Sequence, residues 1–429
     1  MDKEKAGQTT ARKPWRFLAA VRQLPAFKVL RFREYRLLWY GQFFTSNGTW
    51  MDEVTRGWLI YELTNSAVQL GLVRGVQAVP FLFFSTLAGS AADRYSRKTQ
   101  LLVAQAATGL IYAVTALLIF TGQIRPWHVY VTAFLMAAVQ AFQQPARTAM
   151  ISDLVPPGSL TNAIGLNAMM FNVARSTGPA VAGILIAAFG TGGAYSVQAL
   201  FFFLATVWTM QLRREQRPST RVDARIAQRE SFGQSIIEGW KFSWKSKTVR
   251  AGLFCTMLAS LFVAPFMTLL PVFARDILKV GADGQGMLVT AMGIGALCSA
   301  VLIASAGDRL PRGMLMLGSV MLYGFILVIF AASPWFELSL AMMVIAGLCH
   351  VHSNALVQTV IQSYSPSEFR GRTTAIFTMN QVLVTVGSML IGSLALLMGA
   401  RWAVASMGAI GSLAMIVIFV TMPHARHIR

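Results

Sequence analysis

The chain has 429 residues, of which 55% are hydrophobic and only 13% charged, with a mean hydropathy of +0.55. A soluble domain carries roughly 25% charged residues, so the composition excludes an ordinary soluble enzyme and indicates a chain that crosses a membrane many times. The formal net charge of +20 would suit a nucleic-acid binder if it formed one patch. The Lys and Arg are instead spread over short segments between apolar runs, so no nucleic-acid partner is expected.

Residues 1–36 form a basic arm with ten Lys or Arg. Trp15, Phe17, Leu18, Val21 and Leu24 alternate there with Arg16 and Arg22. Two readings fit the arm: a helix lying on the inner leaflet or a disordered tail. No apolar signal core precedes the first full-length span, so no cleavable signal peptide is expected.

Twelve spans are expected near 37–62, 67–91, 99–122, 127–151, 163–189, 193–212, 251–275, 286–306, 313–333, 338–362, 373–398 and 402–422, each close to the ~20 residues a bilayer needs. Residues 251–274, 284–307, 313–336 and 373–400 carry no charge at all. Most connections are short, such as Gly122–Pro126 and Gly190–Gly193, and short loops force neighbouring helices to run antiparallel. The exception is 213–250, with ten Lys or Arg, four acids and Pro218. An amphipathic helix over 231–249, with Ile236, Ile237, Trp240 and Trp244 on one side, would make it a surface linker. The expected organisation is an arm (1–36), a six-span bundle (37–212), the linker (213–250), a second six-span bundle (251–422) and a short tail (423–429). Most of the basic residues then lie on one side, which the positive-inside rule makes the cytoplasm, with both termini there. Those segments are expected to touch anionic lipid heads.

One charged turn interrupts the apolar pattern with unusual density. Gly89-Ser-Ala-Ala-Asp93-Arg94-Tyr-Ser-Arg97-Lys98 sits between charge-free runs at 75–92 and 99–124. A weaker copy, with Asp308, Arg309 and Arg312, follows 215 residues later, about half the chain. Pro156 and Pro366 repeat at a similar offset. A hairpin repeated at half the chain length points to two related halves. Cys255, Cys298 and Cys349 all lie in apolar runs and are expected to be buried thiols serving as small hydrophobes, with no metal site.

Polar residues recur at helical spacing within several spans. The first carries Gln42, Thr45, Ser46, Thr49, Asp52, Glu53 and Arg56, the fourth Gln140, Gln143, Gln144 and Arg147, and the tenth His350, Asn354, Gln358 and Gln362. The seventh is poorer, with Thr256, Ser260 and Thr268. Such stripes face either a cavity or other helices. His350 and His352 point to different helix faces and make a poor metal pair.

Charges at membrane depth are rarer still. Asp52, Glu53, Arg74 and Arg175 would each cost about 2.5–3.5 kcal/mol if left unpaired, so pairing is expected. Arg56 is one turn from Asp52 and can pair locally. Three roles stay open for Asp52 and Glu53: carrying coupling protons, holding a structural ion pair, or contacting substrate.

The charged turn resembles the signature G-x-x-x-D-R-x-G-R-K of the major facilitator superfamily, with Ser96 where glycine is usual. The resemblance implies an all-α membrane protein of 12 transmembrane helices in two pseudo-symmetric six-helix bundles. It also implies a central cavity lined by spans 1, 4, 7 and 10, and a turn that latches the two halves on the cytoplasmic side. Because the first and fifth helices pack together in that superfamily, Arg175 becomes the better partner for an inward-facing acid. Ala174–Gly183, with Gly178, Pro179 and Gly183, looks like the antiporter motif G-x-x-x-G-P-x-x-G-G with two glycines replaced by Ala174 and Ala182. The arginine that drug exporters often carry early in span 4 is absent here. Phe32–Trp39, Pro145–Arg147 and Arg370–Arg372 resemble the bacterial branch that includes the enterobactin exporter and macrolide efflux pumps.

The expectation is therefore a monomeric exporter in a bacterial inner membrane, working by alternating access. It would exchange protons for a small amphiphilic molecule, a siderophore or a drug, without a cofactor. An importer or lipid transporter on the same fold, or a membrane sensor or enzyme, are the other classes the sequence leaves open.

Overall fold

The computed structural model describes residues 27–213, 232–306, 311–426 and 428, with the side chains of a few helical residues, Gly89, Asp93 and Arg94 among them, outside the description. The described residues are helical, without a strand. In the first half α1 is Arg33–Thr64, α2 Ala67–Arg94, α3 Arg97–Phe120 and α4 Pro126–Leu154. A continuous stretch, Leu160–Met210, divides at Gly190 into α5 (160–189) and α6 (191–210). An unnumbered linker helix, Phe232–Lys245, leads to the second half. There α7 is Lys247–Ile277, α8 Gly281–Ala306, α9 Arg312–Ala332 and α10 Phe336–Tyr364. The eleventh, α11, runs through Ser367–Thr378 and Asn380–Met398, and α12 is Ala400–Thr421. Eight of these segments are long and apolar enough to cross a membrane on length and composition, one of them holding both α5 and α6. The helices α1, α2 and α4 fall outside that set, and α1 and α4 carry two of the polar stripes.

Local chemistry sets the breaks. Ser96 caps α3 by accepting from the Thr99 N–H, and Ser246 does the same for α7 through Val249, as short polar side chains do at helix N-termini. Gly190 turns α5 into α6 at φ +69°, and Gly399 turns α11 into α12 at φ +84°. Both positions need a residue that tolerates positive φ, and they lie 209 residues apart. The α5–α6 turn is shorter than the loop expected over Gly190–Gly193, because Thr191 to Gly193 are already helical. Pro265 and Pro271 fall within α7, whose middle runs through π and 3-10 turns. Proline removes the backbone donor that a regular turn requires.

We call the end where α2 meets α3 the signature end, and the opposite end the far end. Each half is a bundle: α1 packs along α5 and α6, α2 along α4, α8 along α10, and α9 along α10 and α12. The halves meet along two seams, α2 with α11 and α5 with α8. Toward the far end a continuous core crosses between halves, joining Met51, Leu59 and Ile60 to Leu269, Phe273 and Leu288. At the signature end the cores are separate. The first half's core holds Tyr35, Leu101, Met150 and Leu166, the second half's Val249, Met316, Val357 and Ile361. The described molecule is thus closed at the far end and divided at the signature end.

The linker helix docks on the second half. Phe242 stacks on Phe369 at 4.7 Å, Arg372 pairs with Glu238, and Trp240 packs on the second core. Trp244, expected on the same apolar face, is exposed and meets the edge of Phe254. Cys255 and Cys349 are buried, but Cys298 is exposed. It shares an outward α8 stripe with Ile294, Val301 and Leu302, the face such a helix turns to lipid. Expecting burial from an apolar run alone fails because lipid-facing runs are equally apolar.

Candidate functional site

The two seams are the same contact made twice. On α2, a side chain at Gly71 would press on the Ser388 carbonyl of α11; on α8, one at Gly286 would press on the Pro179 carbonyl of α5. Gly392 lies against Ala67, and Gly183 against Ala282. Gly71 and Gly286 are 215 residues apart, as are Ala67 and Ala282; Gly183 and Gly392 are 209 apart, as are Pro179 and Ser388. Tyr61 donates a hydrogen bond to the Asp276 carboxylate at the far end. These two residues are also 215 apart, so equivalent positions of the two halves meet across the local pseudo-twofold. Arg275 lies over the Tyr61 ring, 5.5 Å from its centroid.

Gly178, Pro179 and Gly183 thereby acquire a geometry. Gly178 faces α1, where a side chain would come within 2.8 Å of Trp50 Cβ and 3.0 Å of the Asn47 carbonyl. Gly183 faces α8 in the other half, so one short motif brings α5 against both neighbours. Thr177 Oγ1 donates to Asn47 Oδ1 at 2.8 Å, and Thr290 Oγ1 to the Ser176 carbonyl at 3.1 Å.

Beside these seams lie two ion pairs on consecutive residues of α1. Arg56 Nη2 is 2.6 Å from Asp52 Oδ2, and both side chains are buried. Arg74 of α2 grips Glu53 with two hydrogen bonds, one at 3.1 Å. Bidentate arginine–carboxylate pairing fixes direction as well as charge. Both pairs line a cavity of about 30 Å³ whose remaining wall includes Gln77 of α2, Met267, Thr268 and Pro271 of α7 and Gln285 of α8. Asp52 Oδ1, Arg56 Nε and Gln285 Oε1 are buried without a hydrogen-bond partner.

Arg175 differs from expectation. The Glu53 carboxylate is taken by Arg74, because α2 lies beside α1 at that height, and Arg175 makes no ion pair among the described residues. Its guanidinium instead sits 5.4 Å from the Trp50 ring centroid.

The stripe residues are placed variously. Gln42 is buried with both amide atoms unpartnered, and Thr49 donates back to the Thr45 carbonyl. Gln140 is half-buried, Gln143 is buried, and the exposed Gln144 accepts from Arg147. Asn354 Nδ2 donates to the His350 carbonyl at 3.0 Å, Gln358 is exposed, and His350 packs on Tyr323 at 5.8 Å. His352 points elsewhere, 3.3 Å from Ser299 Oγ.

At the signature end, Arg97 Nη1 is 2.6 Å from Asp153 Oδ2 of α4. Lys98 Nζ donates to the Met210 and Leu212 carbonyls at the end of α6, where a cation suits the helix dipole. These contacts of Arg97 and Lys98 bind helices of one half to each other. Arg312 opens α9, and Asp308 and Arg309 lie outside the described residues.

Sequence reasoning passed over Gly71, Gly286, Gly392, Tyr61 and Asp276. The signal was present: Gly71 with Gly286 and Tyr61 with Asp276 repeat the 215-residue offset that related Asp93 to Asp308, and Gly392 follows Gly183 at 209, close to the offset of Pro156 and Pro366.

Residues 25–427 match the family described as transmembrane secretion effectors. The chain is 24% identical to the staphyloferrin A transporter of Staphylococcus aureus over 352 residues, covering 80% of this chain and 85% of that one. It is 25% identical to the multidrug efflux pump Tap of Mycobacterium tuberculosis over 352 residues, covering 80% and 82%. It is 24% identical to the efflux pump PmrA of Streptococcus pneumoniae over 362 residues, covering 82% and 86%. Among solved structures, the nucleoside transporter NupG superposes with a TM-score of 0.72 at 12% identity, over 91% of this chain and 98% of that one. A bacterial homologue of the lysosomal transporter Spinster superposes with a TM-score of 0.68 at 15% identity, over 94% and 96%. With two related six-helix bundles meeting on paired seams and a family match spanning nearly its whole length, the chain is a membrane transporter of the major facilitator fold and belongs to the transmembrane secretion effector family.

Proposed function

We propose that the protein exports a small amphiphilic molecule, a siderophore or a drug, across a bacterial inner membrane in exchange for protons, with both termini in the cytoplasm. The observation that carries the reading is the pair of carboxylates, Asp52 and Glu53, held by arginines at the wall of a cavity bounded by both halves. A space of about 30 Å³ admits water but no drug. It suits a proton-handling site rather than the cargo site. When the halves tilt, the α7 and α8 walls leave and water enters, so the solvation of Glu53 changes with the conformational cycle. The efflux pumps and siderophore transporter among the relatives support outward flux. The signature turn then lies in the cytoplasm, and the described conformation is open inward.

Comparing the small molecules released by cells with and without the protein identifies the cargo. Reconstituted with that compound, Glu53→Gln should abolish gradient-driven accumulation while exchange down a cargo gradient persists. Asp52→Asn strips a buried partner from Arg56, a change that typically costs about 3–5 kcal/mol, so it should lower the melting temperature as well as flux. Normal proton-coupled export by Glu53→Gln in energised inverted vesicles removes Glu53 from the coupling role.

A further inference from the structure

The cavity beside the ion pairs lies on the local pseudo-twofold. Asp52 and Met267, Arg56 and Pro271, and Leu70 and Gln285 all line it, and the members of each pair are 215 residues apart. One space therefore receives the same positions from both halves, but not the same chemistry. The first half presents a carboxylate, a guanidinium and a leucine. The second presents Met267, Pro271 and the amide of Gln285. Gln285 is 2% exposed and Asp52 7%. Asp52 Oδ1 and Gln285 Oε1 have no hydrogen-bond partner among the described residues, and neither do Arg56 Nε and Nη1. Thr268, from the same wall as Gln285, already donates to Ser388 Oγ at 3.0 Å.

Buried polar atoms left unpaired are costly, and those on the residues of this wall are of both kinds. A cation would satisfy the acceptors but meet two guanidinium groups; an anion would satisfy the donors but meet two carboxylates. Water donates and accepts at once. It needs roughly 10–15 Å³ of such space and two to four polar partners. The cavity, of about 30 Å³, has room for about one or two waters and supplies partners from both halves. We propose that it binds ordered water bridging Gln285 of α8 to the Asp52–Arg56 pair of α1, and that Gln285 is thereby a positioning residue, steadying that pair from the other half while the far end is closed. When α8 leaves with its bundle, Asp52 and Arg56 keep each other, the tie to Gln285 is lost, and bulk water replaces it. That the pair so held takes part in proton exchange rests on the proposed function; the bridge does not.

Two measurements test the bridge. A cryo-electron map of the full-length, far-closed protein in lipid nanodiscs, sharp enough to show ordered water, should place a peak about 3 Å from both Asp52 Oδ1 and Gln285 Oε1. An empty cavity, or Gln285 bonded directly to Asp52 or Arg56, overturns the inference. The second measurement is a mutant cycle read by the far-end distance between spin labels on the two halves. Gln285→Leu copies its counterpart Leu70, which already lines the same cavity. Asp52→Leu with Arg56→Met removes the pair as a unit, a replacement that buried ion pairs often tolerate. In the native background Gln285→Leu gives up the bridge, which offsets what the leucine gains by burial. Without the pair there is no bridge to give up, so the same substitution should favour closed molecules about two- to tenfold more, the range of one hydrogen bond. A Gln285 that merely fills space would shift the balance equally in both backgrounds, and equal shifts overturn the inference. Neither measurement uses a gradient or cargo. A bridge without export in vesicles defeats only the exporter, and export without a bridge defeats only this inference.

Discussion

Placing a methyl group at Gly71 or at Gly286 should open the far end. A Cβ on Gly71 would stand 2.5 Å from the Ser388 carbonyl oxygen and 3.0 Å from Met389 Cα. On Gly286 it would stand 2.7 Å from the Pro179 carbonyl oxygen and 3.0 Å from Gly183 Cα. The obstructing atoms are backbone and cannot swing aside, so the helices must separate. Overpacking of this kind costs about 1–3 kcal/mol, and here the cost falls on the far-closed state, since a molecule open at the far end no longer makes the contact. At 1.4 kcal/mol per factor of ten, Gly71→Ala and Gly286→Ala should each shift the balance by about 5- to 150-fold. Pulsed electron spin resonance reads this between labels at Gln123→Cys, in the exposed α3–α4 connection, and Glu337→Cys, exposed at the start of α10, both at the far end and in different halves. Cys298→Ser is needed in the background because that thiol is exposed, unlike Cys255 and Cys349. Both variants should lengthen the distance, to similar degrees. An unchanged distribution in both refutes the steric argument, and a shift in only one refutes the equivalence of the seams.

Two further perturbations separate conformational balance from stability. Tyr61→Phe removes the hydrogen bond to Asp276, worth about 1 kcal/mol at a partly exposed site, and should lengthen the same distance by a smaller population shift. Gly178→Ala would place a Cβ 2.8 Å from Trp50 Cβ, but α1 and α5 belong to one bundle. It should lower the melting temperature of the purified protein and leave the far-end distance unaltered.

Legibility followed the physics of each feature. The helices and the antiparallel run of chain neighbours were readable because lipid admits few backbone solutions and short loops leave few others, and charge-free runs such as 313–336 leave little choice. The local pairing of Asp52 with Arg56 was readable because four-residue spacing on one helix fixes it. Partners across helices were not. Whether Glu53 meets Arg74 or Arg175 depends on the axial register of α2 and α5 against α1, and single-helix periodicity carries no information about register. The exposure of Cys298 was hidden for a related reason, since a lipid-facing and a buried residue look alike in hydropathy. The seam glycines were visible only to someone aligning the two halves, at one offset for α2 and α8 and another, six residues smaller, for α5 and α11.

Consecutive acids on α1 share one cavity but are held by different helices, and under the proposed exchange this separates their roles. Asp52 is tied to its own helix by Arg56 and lies near Tyr112 and Tyr195 of the first bundle. Those partners travel with it whichever way the halves tilt. Glu53 is held by Arg74, on the helix that also forms a seam with α11, at a wall completed by Pro271 and Gln285 of the other half. Both acids line the cavity that the other half completes, so tilting changes the solvation of each. What differs is the counter-ion: Arg56 sits on the same helix as Asp52, while Arg74 reaches Glu53 from the helix that forms the seam with α11. Under the proposed proton exchange, movement at the seam then reaches Glu53 through Arg74 and leaves the Asp52–Arg56 pair intact.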